Sequence, residues 1–296
     1  MKRVNTNEFN FDKFSSKRIS FILPTKNRAQ SLKKALERLK KLKHENDEVI
    51  VVDGGSNDST IQIIKKNKRI VDKYISESDI NPTHAVNKGI LLASGIYIKN
   101  LSDDDIYFPK AMEQAIGVME ANPDIDILEC GGIVYYKTIK KFQIINKKTG
   151  INFGKRPEDI FYYGTNGAGL IIRRSSLAKT DIFPLNIASD IVFMFQSIKN
   201  GASVKFCRLK LYKMIIDKHN ISVRTEVPYE LYKIVKKYAP RKYYFLYAFL
   251  YFCQHNLLLK TLFYPLVLSW SIHKRRIFVS SDAVKNKRSE WDGEFS

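Results

Sequence analysis

Four consecutive polar residues, Ser102-Asp103-Asp104-Asp105, follow an apolar run that ends at Leu101. Three adjacent carboxylates are hard oxygen donors suited to Mg²⁺ or Mn²⁺, with water and phosphate oxygens filling the remaining positions around the ion. Such a cation stabilises charge on a leaving diphosphate without needing a proton. An exposed turn or a helix N-terminus would also suit adjacent acids, so it is the position after a buried strand that favours the ligand role. Asp53 stands at another strand end, after Val51-Val52 and before Gly54-Gly55. A carboxylate there can accept a hydrogen bond from a base N–H or a ribose hydroxyl, while the glycines let a ligand approach the backbone; alone, it reads equally as a turn. Thr25, Asn27 and Arg28 after the first strand offer donors to the same cleft, with capping of the next helix as the alternative role of Asn27 and Arg28. Glu77 and Asp79 follow a third strand.

The elements that must position these groups alternate in type. Ile19-Ser20-Phe21-Ile22-Leu23 reads as a strand ended by Pro24, and Ser31 is placed to cap a helix whose apolar face is Leu32, Ala35, Leu36, Leu39 and Leu42. Glu48-Val49-Ile50-Val51-Val52 suits burial on both faces. A helix over 60–66, a strand over 71–75, a helix over 82–93 and a strand over 96–101 continue a βαβ pattern, which predicts a parallel, doubly wound sheet. Ligands bind such sheets beyond the carboxyl ends of the strands, where all these polar loops fall. A helix after Pro109, a hairpin or small antiparallel extension within 133–145, a strand at 170–172 and a helix over 190–199 follow.

The chain has 296 residues, enough for one or two domains, and its 50 basic against 30 acidic residues give a formal net charge of +20. That excess calls for an anionic partner or a solubilising surface, and the spread of the lysines does not match a compact nucleic-acid motif. Cys130, Cys207 and Cys253 are too scattered for a disulfide framework or a zinc site and read as buried thiols of a reducing cytoplasm. Residues 1–17 lack an apolar stretch of signal-peptide length, so export is not expected. From about 229 the chain turns aromatic and basic, without about 20 uninterrupted apolar residues. Its flanks Arg241-Lys242 and Lys274-Arg275-Arg276 suit helices lying in a membrane interface; a helical pair packed on the preceding domain is the alternative. The tail over 280–296 reads as poorly ordered.

The blocks Pro24-Thr25-Lys26-Asn27-Arg28, Val51-Val52-Asp53-Gly54-Gly55-Ser56-Asn57-Asp58 and Leu101-Ser102-Asp103-Asp104-Asp105 resemble the family 2, GT-A-fold inverting glycosyltransferases, over about residues 19–201. Ile75-Ser76-Glu77-Ser78-Asp79 with Ala85-Val86-Asn87-Lys88-Gly89-Ile90 resembles the bacterial polysaccharide-forming branch. The resemblance implies a Rossmann-like, mostly parallel sheet flanked by helices, and with the change of composition near 229 the chain divides into an N-terminal extension (1–17), a GT-A catalytic domain (18–228) and a small helical, aromatic and basic C-terminal region (229–296). It implies transfer of a sugar from a nucleoside diphosphate, most usually UDP, to a hydroxyl of a glycan or lipid-linked acceptor in cell-surface polysaccharide synthesis. The donor would meet Pro24, Thr25, Asn27, Arg28, Asp53, Glu77, Asp79, Asn87, Asp103 and Asn166. Asp104, Asp105 and His219 would serve the Mn²⁺ or Mg²⁺ cofactor, with Asp104 in the register of the direct ligand. Asp190, in Ile187-Ala188-Ser189-Asp190-Ile191-Val192, matches the segment that carries the catalytic base, a place where an aspartate also caps helices.

The chain departs from the branch at Asn81 and His84, where a glycine and an acid are usual, so the bound sugar is expected to differ. Asn166 stands where a histidine is common. The expected location is the cytoplasm, with peripheral association at the inner membrane face left open. Two other classes compete: a basic nucleic-acid-binding protein, against which the motif spacing argues, and a nucleotidyltransferase, whose Gly-rich phosphate loop is missing after the first strand.

Overall fold

The apolar runs at 19–25 and 48–53 become strands buried on both faces, because helices cover the sheet on both sides. The computed structural model describes residues 18–137, 140–145, 157–186, 188–216, 227–241, 243–244 and 276–279. In chain order the elements are β1 (Ile19–Thr25), α1 (Ala29–Leu42), β2 (Glu48–Asp53), α2 (Thr60–Lys66), β3 (Lys73–Ser76), α3 (Pro82–Leu92), β4 (Tyr97–Asn100), β5 (Ile106–Tyr107) and α4 (Pro109–Ala121). They continue with β6 (Ile127–Tyr136), β7 (Lys141–Ile145), α5 (Ile160–Tyr163), β8 (Leu170–Arg173), α6 (Leu177–Thr180), α7 (Ser189–Lys199), β9 (Val204–Ile216), α8 (Val227–Tyr238) and β10 (Arg276–Val279).

The sheet runs β10-β7-β6-β8-β4-β1-β2-β3, with β9 beside β6 and β5 beside β9. Its Rossmann-like half, β3-β2-β1-β4, is parallel throughout. β8 pairs antiparallel with β4 and with β6, and β6 and β7 form the expected hairpin. Alternate β1 residues feed two cores: Phe21 and Leu23 pack with α1 and α4, and Ile22 packs with α3, α7 and α8.

Two local expectations are corrected. β1 continues through Pro24 and Thr25, which pair with Val52 and Asp53. The ladder to β4 has ended at Ile22 by then, so Pro24's missing N–H takes no ladder bond away. Helix α1 starts at Ala29 rather than at Ser31, because Asp58 in the next strand's loop accepts a hydrogen bond from Ala29 N at 3.1 Å. Cys130 and Cys207, far apart in sequence, stand opposite each other in the β6–β9 register and hydrogen-bond as free thiols.

Glu48, only 1% exposed, receives Ser20 Oγ at 2.5 Å, Ser94 N at 2.6 Å and Lys73 Nζ at 2.8 Å. Burial pushes this carboxyl's pKa up, but the bonds from Lys73, Ser20 and Ser94 outweigh it and hold it below the usual glutamate value. A depressed folded-state pKa stabilises the protein above the unfolded value, and that contribution is lost as pH falls through the folded one. Glu48→Gln is therefore expected to melt several degrees below wild type near neutral pH, with the gap closing in acid. A gap that stays constant from pH 7 to pH 3 in paired thermal melts would contradict this ionic role.

α8 straddles the expected boundary at residue 228 and is amphipathic, with Ile234 and Val235 buried in the same core as Phe161 and Phe195. Tyr238 lies 5.8 Å from Phe195 between ring centroids, and Tyr243 lies 6.5 Å from Phe161. The start of the aromatic, basic segment thus packs on the sheet domain. His219, Cys253 and the 280–296 tail lie outside the described residues.

Candidate functional site

The loops after β1 and β2 form one interlocked wall. Asn27 adopts a left-handed backbone (φ 52°), which asparagine tolerates better than most residues. Its Oδ1 accepts a hydrogen bond from Asn57 N at 2.8 Å, and its N–H donates to Ser56 Oγ at 2.7 Å. Asp58 accepts from Thr60 N at 2.9 Å as well as from Ala29, serving the start of two helices from one carboxylate. Asp53 is fully buried beneath this wall, accepting from Ser56 N at 3.0 Å, Ser76 Oγ at 2.6 Å and Ser56 Oγ. It acts as the internal anchor of its loop, and direct contact with a nucleoside would require these bonds to be exchanged.

The acidic cluster is reached from the first loop by Arg28. Its guanidinium donates to Asp103 Oδ2 at 2.9 Å and to Asp104 Oδ2 at 2.8 Å, and Thr25 Oγ1 donates to Asp103 Oδ2 at 3.3 Å. The three carboxylates differ in environment. Asp103 and Asp105 are buried, while the Asp104 side chain is 31% exposed. Burial drives Asp103 up to about 6, with Arg28 opposing and Asp104 adding to the shift. Burial, then Asp104, drives Asp105 up to about 7 although the Ile215 N–H donates to it. Asp105 therefore faces β9 and the interior, which leaves Asp104 as the exposed carboxylate.

The donors here are the hard oxygens that Mg²⁺ or Mn²⁺ prefers. Among the described residues no group of three or more His, Cys, Asp or Glu side chains is set to hold a metal alone. Asp104 is the carboxylate that could meet such an ion, by exchanging the bonds its oxygens make to Arg28 and Ser102.

The β3–α3 loop closes a further side. Lys88 Nζ binds Asp79 Oδ1 at 2.8 Å and Glu77 Oε1 at 3.0 Å, so these two acids are paired to one lysine. A Cβ at Gly54 would stand 2.6 Å from Asp79 Oδ2, so this glycine makes room for a protein carboxylate. Asn81 caps α3 by accepting from His84 N at 2.9 Å, and His84 Nδ1 accepts from Ile80 N at 3.3 Å. Asn87 is buried and turned the other way: its amide donates to Phe183 O at 2.7 Å and accepts from Phe183 N at 3.0 Å. That makes it a clamp between α3 and the segment before α7, a role its sequence position does not reveal.

Asp190 occupies the first turn of α7 rather than its N-cap, which is Ala188. Its Oδ1 accepts from Ile191 N at 2.9 Å, and its Oδ2 accepts from Gly167 N at 3.2 Å. Asn166 caps the tight turn over Gly167–Gly169 with its own Oδ1, 2.9 Å from Ala168 N. Thr83 Oγ1 meets Ser189 Oγ at 3.2 Å, joining the start of α3 to the start of α7. Hydrogen bonds thus join Thr25, Arg28, Asp103 and Asp104 in one set, Asn27 and Asp53 through Ser56 in a second, and Asn166 and Asp190 at the turn over Gly167–Gly169 in a third, while Asp79 lies beside Gly54. Sequence reading missed Ser76, which bonds Asp53, and Lys99, whose Nζ donates to Ala168 O of the third set and to Leu170 O; a lysine inside the otherwise apolar run 96–101 was the available signal for the latter.

Solved structures share this fold. Residues 1–349 of S. aureus TarS, in complex with UDP-GlcNAc, superpose with a TM-score of 0.56 at 20% identity, over 74% of this chain and 65% of that one. A Pyrobaculum calidifontis mannosyltransferase in complex with GDP-Man and Mn²⁺ gives 0.57 at 17% identity, over 78% and 68% of the two chains. Glucosyl-3-phosphoglycerate synthase from Mycobacterium tuberculosis, with Mn²⁺ and UDP, gives 0.53 at 15% identity, over 76% and 81%. The architecture is the GT-A fold.

Among sequence relatives, an uncharacterized glycosyltransferase of Rickettsia bellii is 36% identical over 108 residues, 36% of this chain and 15% of the relative. The uncharacterized glycosyltransferase YibD of Escherichia coli is 24% identical over 229 residues, 71% of this chain and 64% of the relative. The matches thus span between 15% and 64% of the length of these two relatives. The family model described as glycosyl transferase family 2 matches residues 20–179, more than half of the chain. With the interlocked strand-end loops and the acidic cluster, this shows that the chain belongs to glycosyl transferase family 2.

Proposed function

We propose that the protein is an inverting glycosyltransferase that moves a sugar from a nucleoside diphosphate to a hydroxyl of a glycan or lipid-linked acceptor in cell-surface polysaccharide synthesis. The observation that carries this reading is the Arg28–Asp103–Asp104 cluster at the mouth of the parallel strands, in direct contact with the β1 loop.

Asp104 would hold Mn²⁺ or Mg²⁺, which supplies positive charge against the leaving diphosphate. The wall of residues 25–28 and 53–58 would receive the nucleoside, its shape fixed from below by Asp53. Asp190 would accept the proton of the acceptor hydroxyl as its oxygen bonds to the anomeric carbon and the bond from that carbon to the diphosphate oxygen breaks. Glu77 and Asp79, held by Lys88, would frame the sugar side, and the nearby Asn81 and His84 would set a sugar preference of their own.

The exposed lysines of α8, in a chain of net charge +20, support an acceptor at an anionic membrane surface, with residues 229–296 as the accessory region. No helix among the described residues is long and apolar enough to cross a membrane.

A thermal-shift screen of UDP-, GDP- and dTDP-sugars with and without Mn²⁺ tests the donor assignment. A ligand at 100 times its Kd stabilises by about 2.7 kcal/mol. One nucleotide class is expected to raise Tm by several degrees, and to do so only with the cation. No shift with any sugar nucleotide would reject the reading.

A further inference from the structure

Lys99 takes no part in the proposed chemistry. It lies on β4 with no exposed surface, and burial pushes its amino group down to about 7 against the opposing pull of Cys130 and Asp105. An isolated ammonium in the interior is costly, so a lysine at such a place needs partners that repay its desolvation. Among the described residues it makes no ion pair. Its Nζ donates instead to two backbone carbonyls, Ala168 O at 2.7 Å and Leu170 O at 3.1 Å, and lies 4.9 Å from the centroid of the Tyr107 ring.

These partners fall on the two sides of the site. β4 and β8 pair only at Tyr97–Arg173 and Ile98–Ile172, then part. Lys99 is the first β4 residue beyond the last pair, and its side chain bridges the opening that the ladder no longer closes. On one side it holds the turn over Gly167–Gly169, whose Gly167 N–H reaches Asp190 at 3.2 Å and whose Asn166 is tied to Glu129 Oε1 at 2.9 Å. On the other side it packs on Tyr107, whose hydroxyl accepts Ser102 N at 3.3 Å and so steadies the loop of the acidic cluster. An apolar residue at 99 would fill the core equally well but would take the donor away from both carbonyls.

We propose that Lys99 is a positioning residue for transfer: by tying the turn whose Gly167 N–H bonds Asp190 to the strand that leads into the acidic cluster, it sets the separation between base and cation site. This inference rests on the reading of Asp190 as the base. Lys99 touches no reacting atom in this scheme. It acts through Gly167 and through Tyr107.

The test compares Lys99→Met, Asp190→Asn and the double variant in the full chain, with the sugar nucleotide selected by the thermal-shift screen. Methionine at 99 keeps the side-chain volume and removes the burial cost of the ammonium, which offsets the loss of its donor to the two carbonyls, so the variant is expected to fold. Lys99→Met is expected to lose roughly 10- to 100-fold in kcat, the effect of a small misplacement of a catalytic group, with donor KM within about twofold of wild type. In the Asp190→Asn background the same change is expected to have little further effect, since there is no base left to place. A merely structural role would instead multiply the two losses.

Wild-type kcat in folded Lys99→Met, or multiplied losses in the double variant, overturns the proposal. Asp190→Asn alone tests the base assignment separately, because full activity there removes the base while the Lys99→Met result remains readable. Should the methionine variant not fold, Lys99→Gln retains an N–H donor and is expected to show a smaller kcat loss at unchanged KM. A glutamine variant with wild-type kcat, or one that also fails to fold, counts against positioning.

Discussion

Asp104→Ala is expected to remain folded and to lose transfer activity by on the order of 10³-fold, the scale of removing a preorganised electrostatic stabiliser of the leaving group. The side chain is 31% exposed and bonded to Arg28 and Ser102, and Arg28 retains Asp103 at 2.9 Å when Asp104 is removed. The core below therefore has no reason to rearrange. Mn²⁺-dependent donor binding should weaken in parallel, because in the proposed mechanism this carboxylate would hold the cation that faces the diphosphate. Steady-state turnover across a Mn²⁺ titration, beside circular dichroism of the same sample, reads both effects. A folded Asp104→Ala enzyme that turns over normally would remove this residue from the cation site.

Asp190→Asn separates binding from chemistry. An asparagine oxygen can still accept the Gly167 N–H that Asp190 receives at 3.2 Å, and the substitution preserves volume at the first turn of α7. General-base catalysis contributes about 10²–10⁴-fold, so kcat should fall within that range while donor affinity stays put. Some helix stability should also be lost, since the carboxylate faces the positive end of α7; that effect is small and visible in a melt. The decisive quantity is single-turnover transfer at saturating donor. If it is unchanged, Asp190 serves only its helix.

The parallel half of the sheet is legible in the sequence for a physical reason. A strand buried on both faces must be a continuous apolar run, and Ile19 to Leu23 and Val49 to Val52 have no other way to satisfy their environment. The strand-end loops are legible too, because Asp53, Gly54 and the acidic cluster interrupt such runs abruptly. What the sequence hides is which partner a polar group meets. Asp53 and Asn87 look ligand-facing by position, yet Ser56, Ser76 and Phe183 use their oxygens and amide. Gly54 reads as space for a ligand, whereas Asp79 occupies that space.

Long-range pairing is hidden for the same reason. β9 pairs with β6 across some 80 residues through register shifts at Gly131, so its alternation breaks midway and the run Val204–Ile216 does not announce itself. The opposition of Cys130 and Cys207 depends on that pairing and cannot be read from spacing. Lys99 was visible only as an oddity in an apolar run. Its meaning required knowing that β4 and β8 separate one residue earlier.

The mutual bonding of Asn27, Ser56, Asn57 and Asp58 has a consequence for the timing of ligand capture. Because each loop supplies the other's hydrogen-bond partners, and Asp58 seats the first residues of both α1 and α2, neither loop can open alone. Their ordering entropy is settled when the sheet folds rather than when a nucleotide arrives. The wall on that side of the cleft should behave as a preformed template, with the Asn27 and Asn57 amides exchanging together.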